Sequence, residues 1–329
     1  MVRVLLLLVA AALSAQSVDS RLIAVPPASD GSAVVPLTVI RGAKPGPALA
    51  LIAGNHGYEY PPILALQRLR AELDPARISG TLYLVHIANV PAFLGRSLFV
   101  TPADQKNLNR VYPGKADGTL SERIAYVITK EVIEKSDALM DLHAGDGNES
   151  LRHYVYQEVT GDAAMDAKIA ALASATLFDH IVIDRNRPND AANAMYCSNT
   201  AITRGKPAVT VESGYLGTRD HESTERIVVA VTNVMRHLGM LPGAALAADH
   251  PVYLDPVEIL PSPATGIFYP HVERAQTVEK GALLAHITDF FGKTVAEIRA
   301  PFSGEILYII GTPPVNQGNP AVFLGAVKH

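Results

Sequence analysis

Cysteine is almost missing from this 329-residue chain: Cys197 is the only one. A single thiol forms no disulfide within the chain, and zinc sites built from several thiolates are excluded. Basic residues show no excess either. Lys and Arg number 28 against 32 Asp and Glu, a formal net charge of −4, which argues against a dedicated nucleic-acid binder. The sequence has no internal repeat and no low-complexity tract. No segment, even the apolar run at the N-terminus, approaches the roughly 20 residues needed to span a bilayer. What is present is 48% hydrophobic against 18% charged residues, enough apolar material for a sizeable core. The length suits one large domain and one small one. The 11 histidines become the main candidates for metal and proton-transfer chemistry.

The N-terminus reads MVRVLLLLVAAAL. Arg3 precedes an apolar run from Val4 to Leu13, and Ser14, Ala15, Gln16 and Ser17 follow. That layout predicts a secretory signal peptide over residues 1–17, cleaved between Ser14 and Ser17, and hence an exported protein. The alternative is a buried N-terminal strand or helix. With no cysteine near the cleavage region, a lipid-modified N-terminal Cys is excluded, and no stable membrane insertion is expected after cleavage.

From there strand-like and helix-like signals alternate. Val34–Ile40, Ala48–Ala53, Thr81–Ile87, Ala138–Leu142 and Ala208–Val211 are short apolar or β-branched runs that predict strands. Pro61–Leu73, Ser121–Glu134, Ala163–Leu177 and Glu222–Leu238 carry helical spacing. This alternation predicts an α/β domain over 18–241, a mixed sheet flanked by helices. After Leu241 the composition changes. A linker follows, and then Gly and Pro recur every 8–15 residues between short β-rich runs, which predicts a small all-β domain over 242–329.

Four clusters carry chemistry. The first, Gly54-Asn55-His56-Gly57-Tyr58-Glu59, follows a predicted strand and enters a helix. His56 and Glu59, three apart, point the same way and make a good zinc pair. Taken alone, His-x-x-Glu is a weak pattern in a chain rich in both residues. The second, Asp141-Leu142-His143-Ala144-Gly145, closes another strand. His143 is a natural third ligand, and Asp141, on the same strand face, is placed to orient a histidine. Its bland reading is a surface His beside a capping Asp. The third ends the strand at Glu212, where burial would raise the carboxyl pKa as a general base requires. The alternative there is an edge Glu paired with Lys206. The fourth is Asn107-Leu108-Asn109-Arg110, in which Arg110 suits a bidentate grip on a carboxylate supported by the Asn109 amide. The alternative is a surface Arg in a loop.

Together GNHGYE, the Asn89–Phe93 segment, NLNRVYPG, DLHAG and KPAVTVESG, in that order from about Val34 to Leu241, resemble the succinylglutamate desuccinylase/aspartoacylase family of zinc carboxypeptidase-like amidohydrolases. The resemblance implies a zinc carboxypeptidase-like sheet. It implies one zinc per chain on His56, Glu59 and His143, zinc-bound water as nucleophile, Glu212 as general base and then acid, and Asn109 and Arg110 on a substrate carboxylate. The C-terminal domain resembles a biotinyl/lipoyl-type barrel-sandwich but has no evident carrier lysine at a hairpin tip, so it reads as a structural or gating module. There is one departure. Where aspartoacylases carry an Arg in an Asn-Pro-Arg-Ala segment, this chain has Asn89-Val90-Pro91-Ala92, which leaves Arg96 as the candidate for polarising the scissile carbonyl.

The resulting expectation is a zinc-dependent deacylase acting on a small N-acyl amino acid or related N-acyl amine. The alternatives are an exported zinc carboxypeptidase acting on short or cell-wall peptides, and a binding protein on a hydrolase scaffold.

Overall fold

Strands buried on both faces read as unbroken apolar runs, and three such runs build the centre of this molecule. The computed structural model describes residues 16–328, so the signal-peptide reading of 1–17 lies almost wholly outside the described residues. The chain opens with β1 (Ser17–Ala28), β2 (Gly31–Arg41) and β3 (Lys44–Ala53), followed by α1 (Tyr60–Glu72), β4 (Ser79–Val85) and α2 (Val90–Gly95). Then come α3 (Leu120–Glu131), β5 (Ala138–His143), β6 (Glu149–Leu151), β7 (Tyr154–Glu158), α4 (Ala163–Ala175) and β8 (His180–Asp184). The α/β run closes with α5 (Cys197–Ile202), β9 (Ala208–Glu212) and α6 (His221–His237). Only strands follow: β10 (Val252–Pro261), β11 (Gly266–Pro270), β12 (Thr277–Val278), β13 (Leu283–Thr288), β14 (Thr294–Arg299), β15 (Gly304–Ile310), β16 (Pro314–Val315) and β17 (Pro320–Val327).

The result is a mixed α/β fold with one large mixed sheet and one separate antiparallel sheet. The large sheet has the order β1-β2-β4-β3-β5-β9-β7-β8-β10-β17-β15-β12, with β6 on β15; the small one runs β14-β13-β11-β16. The centre, β4, β3, β5 and β9, is parallel. Leu49 to Ala53 of β3 are fully buried. Helix α6 packs against both α1 and α4, while α5 packs on β5 and β9. Helix α6 presents Ile227, Val231, Val234 and Met235 to the core, a stripe at helical spacing. Asp220 caps it, accepting from the Ser223 N–H at 2.7 Å.

The large sheet does not stop at the composition change near Leu241. Strand β10 pairs in parallel with β8, from Val252↔His180 to Leu254↔Val182. Strand β15 in turn pairs with β6. The late strands therefore extend the main sheet and return to its functional edge. Arg152 and Glu305 form an ion pair across this join, and His180 lies 3.1 Å from the second Glu305 oxygen. No helix among the described residues is long and apolar enough to cross a membrane.

Candidate active site

In parallel sheets ligands gather at the carboxyl ends of the strands. Here three adjacent strands, β3, β5 and β9, end side by side. Ala53 is level with Leu142, and His143 is level with Glu212. Two glycines permit the turn after β3. Gly54 has φ +72°, and a Cβ on Gly57 would stand 2.5 Å from the carbonyl oxygens of Ala92 and Ser97. This turn carries His56 and Glu59 back over the strand ends. Glu59 sits at the N-cap position of α1 but makes no cap bond, because its carboxylate turns to the histidines instead.

Glu59 Oε1 lies 2.7 Å from His56 Nδ1 and 3.0 Å from His143 Nδ1. The far side of each ring is held from behind. Asn107 Oδ1 is 3.0 Å from His56 Nε2 and also accepts the Asn109 N–H at 2.8 Å, which fixes the amide's orientation. Asp141 Oδ2 is 3.1 Å from His143 Nε2. Asp141 itself accepts from Asn55 Nδ2 at 2.8 Å, and Tyr112 donates to Asn55 Oδ1 at 3.0 Å. Asn107 Oδ1 and Asp141 Oδ2 offer each ring an acceptor at Nε2, and both Nδ1 atoms face Glu59. Glu59 Oε2 is buried with no hydrogen-bond partner among the described residues. Acceptor atoms of all three residues lie within 4.8 Å of one another. Acceptors converging on one point repel unless a cation lies between them, so the set fits a divalent metal with two imidazoles and a carboxylate. The protonation energetics show the same demand for positive charge at this point. Burial disfavours the charged form of His143, yet Asp141 and Glu59 hold its pKa well above the usual range. Burial pushes Glu59 up, but His143 and His56 bring it down to about 2.

Glu212 closes β9 beside His143 and lines the same cavity. Its pKa is raised well above the carboxylate range, first by burial and then by Glu59 and Glu149, against the opposing pull of His143. Lys206, the alternative partner, is at the other end of the strand and donates to the carbonyls of Glu134 and Ser136. The cavity measures about 590 Å³, and residues from both halves of the chain wall it, including Phe99, Arg187, Ile259 and Tyr308.

The remaining expected residues divide. Arg110 lines the cavity and stacks on Tyr196, its guanidinium carbon 4.6 Å from the ring centre. Asn109 also lines it, but its amide is already engaged rather than free for a substrate carboxylate. Nδ2 donates to Asp141 at 3.3 Å and lies 3.0 Å from His143 Nε2, and Oδ1 accepts the Cys197 N–H at 2.8 Å. Asn109 therefore buttresses His143. Arg96 is not brought to the site. It is exposed, caps α2 in a left-handed conformation (φ 51°), and is not among the cavity residues. The short α2 ends before the arginine and turns it to solvent.

Sequence reasoning missed several cavity residues. Arg187 stacks over Tyr196 from 3.7 Å, on a loop after β8 with no periodic signal. Tyr154 and Tyr156 both line the cavity from β7, one residue apart on one face. Their alternation was the available signal. Tyr154 is level with Glu212.

Comparison with known proteins places the chain among deacylases of one family. The family model described as the succinylglutamate desuccinylase/aspartoacylase catalytic domain matches residues 45–238. An N-alpha-acetyl-L-2,4-diaminobutyric acid deacetylase from Halomonas elongata is 31% identical over 305 residues, covering 90% of this chain and 87% of the relative. Among solved structures, a succinylglutamate desuccinylase from Silicibacter sp. superposes with a TM-score of 0.84 at 26% identity, covering 97% of this chain and 98% of the other. The product-bound ectoine utilization protein EutE (DoeB) from Ruegeria pomeroyi also gives 0.84, at 27% identity, covering 96% and 98%.

Proposed function

Since this chain belongs to the succinylglutamate desuccinylase/aspartoacylase family, we propose that it is a zinc-dependent deacylase hydrolysing the amide bond of an N-acyl amino acid. The observation that carries the reading is the convergence of His56, Glu59 and His143 beside Glu212 at the ends of three neighbouring strands. His56 Nδ1, Glu59 and His143 Nδ1 would hold the zinc, which when bound supplies Lewis acidity, polarising a carbonyl and acidifying water toward neutral pH. Asp141 and Asn107, as acceptors at Nε2, favour in the two rings the tautomer that leaves Nδ1 free. Glu212, ionised when the site is loaded, takes the proton of the attacking water and delivers it to the departing amine nitrogen. Arg110, without a carboxylate partner among the described residues, grips the carboxylate of the amino acid and thereby sets the carbonyl against the strand ends.

A cavity of about 590 Å³ is in the range of small-molecule sites and favours a single N-acyl amino acid over an extended peptide. In this reading 18–241 forms the carboxypeptidase-like hydrolase, and 242–329, a sandwiched β domain, walls the cavity. Residues 1–17 direct export, which N-terminal sequencing of the protein recovered from a native periplasm checks. Parallel assays on N-acetyl, N-succinyl and longer N-acyl amino acids and on short peptides test the activity, with N-alpha-acetyl-2,4-diaminobutyrate, the compound in the Halomonas relative's name, assayed first. Turnover of N-acyl amino acids over peptides is expected; turnover of peptides alone would make the chain a carboxypeptidase.

A further inference from the structure

One acid in the cavity has no place in the chemistry above. Glu149 begins β6, lines the cavity together with Arg110, and forms no ion pair among the described residues. The only donor to its carboxylate among the described residues is the Asp146 N–H, at 2.9 Å from Oε2. Its backbone is fixed on both sides. The Leu216 N–H donates to its carbonyl at 2.8 Å, and its strand pairs with β15 at Ile310. The neighbouring Asn148 also lines the cavity, and its Oδ1 is buried without a hydrogen-bond partner. Tyr154 and Tyr308 border the same wall, and both feel the charge of Glu149. A carboxylate with no ion-pair partner and an amide oxygen with no hydrogen-bond partner among the described residues, beside tyrosine rings, form an acceptor set for a cation. A lining carboxylate left unpaired in a partly dry cavity is costly, and a ligand ammonium removes that cost.

Arg110 is the complement. Its guanidinium stacks on Tyr196 and donates to the Asn109 carbonyl, and among the described residues it has no acid partner. The cavity therefore offers the same ligand a guanidinium and a carboxyl group, neither with an ion-pair partner among the described residues. We propose that Glu149, with the Asn148 amide oxygen, is the residue that selects substrates bearing a free ammonium group, so that the acyl amino acid is an N-acyl diamino acid rather than a neutral or acidic one. This rests on the deacylase reading and adds the charge of the side chain and the residue that reads it.

The test compares two substrates of matched shape, N-alpha-acetyl-2,4-diaminobutyrate and N-acetylnorvaline, which differ by an ammonium in place of a methyl group. The metal-loaded wild-type protein is expected to favour the charged substrate at least ten-fold in kcat/KM. Glu149→Gln keeps an oxygen for the Asp146 N–H and removes only the charge. The ratio is expected to fall at least ten-fold, with the loss on the charged substrate appearing in KM. A ratio unchanged in the variant, including a parallel fall on both substrates, would show Glu149 to be structural and overturn the inference. Calorimetric binding of free 2,4-diaminobutyrate separates the two claims. If no N-acyl amino acid is cleaved, the deacylase reading falls. Weaker diamine binding by Glu149→Gln would still support the cation site, and equal binding would overturn it.

Discussion

The two ends of the cavity are built on different principles. At the inner end His56, Glu59 and His143 are each placed within a few residues of a buried parallel strand, and each ring is held from behind by a further side chain. At the outer end Arg110, Arg187, Asn148 and Glu149 come from loops and from a short strand completed by β15; among the described residues Arg110 and Glu149 have no ion-pair partner, and Asn148 Oδ1 has no hydrogen-bond partner. The inner end is rigid because strand register and buried hydrogen bonds leave it one arrangement. The outer end keeps its polar atoms for a ligand. Reaction chemistry and substrate choice thus reside on separable parts of the fold.

Three variants should break or sharpen that division, in descending size. Glu212→Gln removes the proton acceptor while leaving the three metal-holding residues intact. Turnover should fall about 10²- to 10⁴-fold with metal content, measured by atomic emission, unchanged; near-normal turnover would remove Glu212 from its role. Asp141→Asn keeps the shape but weakens the support behind His143. Metal affinity in a competition titration should drop about 10- to 100-fold, with activity restored by excess zinc. Arg110→Ala touches only the outer end. KM for N-acyl amino acids should rise on the order of ten-fold, as loss of a hydrogen bond to a charged group implies, while metal affinity stays put. A fall in metal affinity in that variant would mean the two ends are not separable.

How much could be read from the sequence follows the same line. The central strands β3, β5 and β9 were legible because burial on both faces demands unbroken apolar runs, and the chemistry at their ends was legible with them. Strand β1 escaped because most of its residues are exposed, so no alternation marks it. Strand β8, HIVID, has an apolar run of only three residues between His180 and Asp184, too little to mark a strand. The continuation of the main sheet into β10 depends on a pairing with β8 some seventy residues earlier, and no local pattern reports such a contact. Arg96 illustrates the limit at the site. Its closeness in sequence to Asn89 suggested a role, but the left-handed turn that ends α2 points it outward. With Asn109 the residue was found and its partner was not, since an amide suited to a carboxylate ligand suits Asp141 equally well. Arg187 and Glu149 had no local signal at all; only the folded chain brings them to the cavity.

The account stands most directly on metal-dependent hydrolysis. Purified protein should release acetate from an N-acetyl amino acid, lose that activity on exhaustive chelation, and regain it as about one zinc per chain is restored, with the same titration failing in His143→Ala. Full activity in protein shown to be metal-free would contradict it.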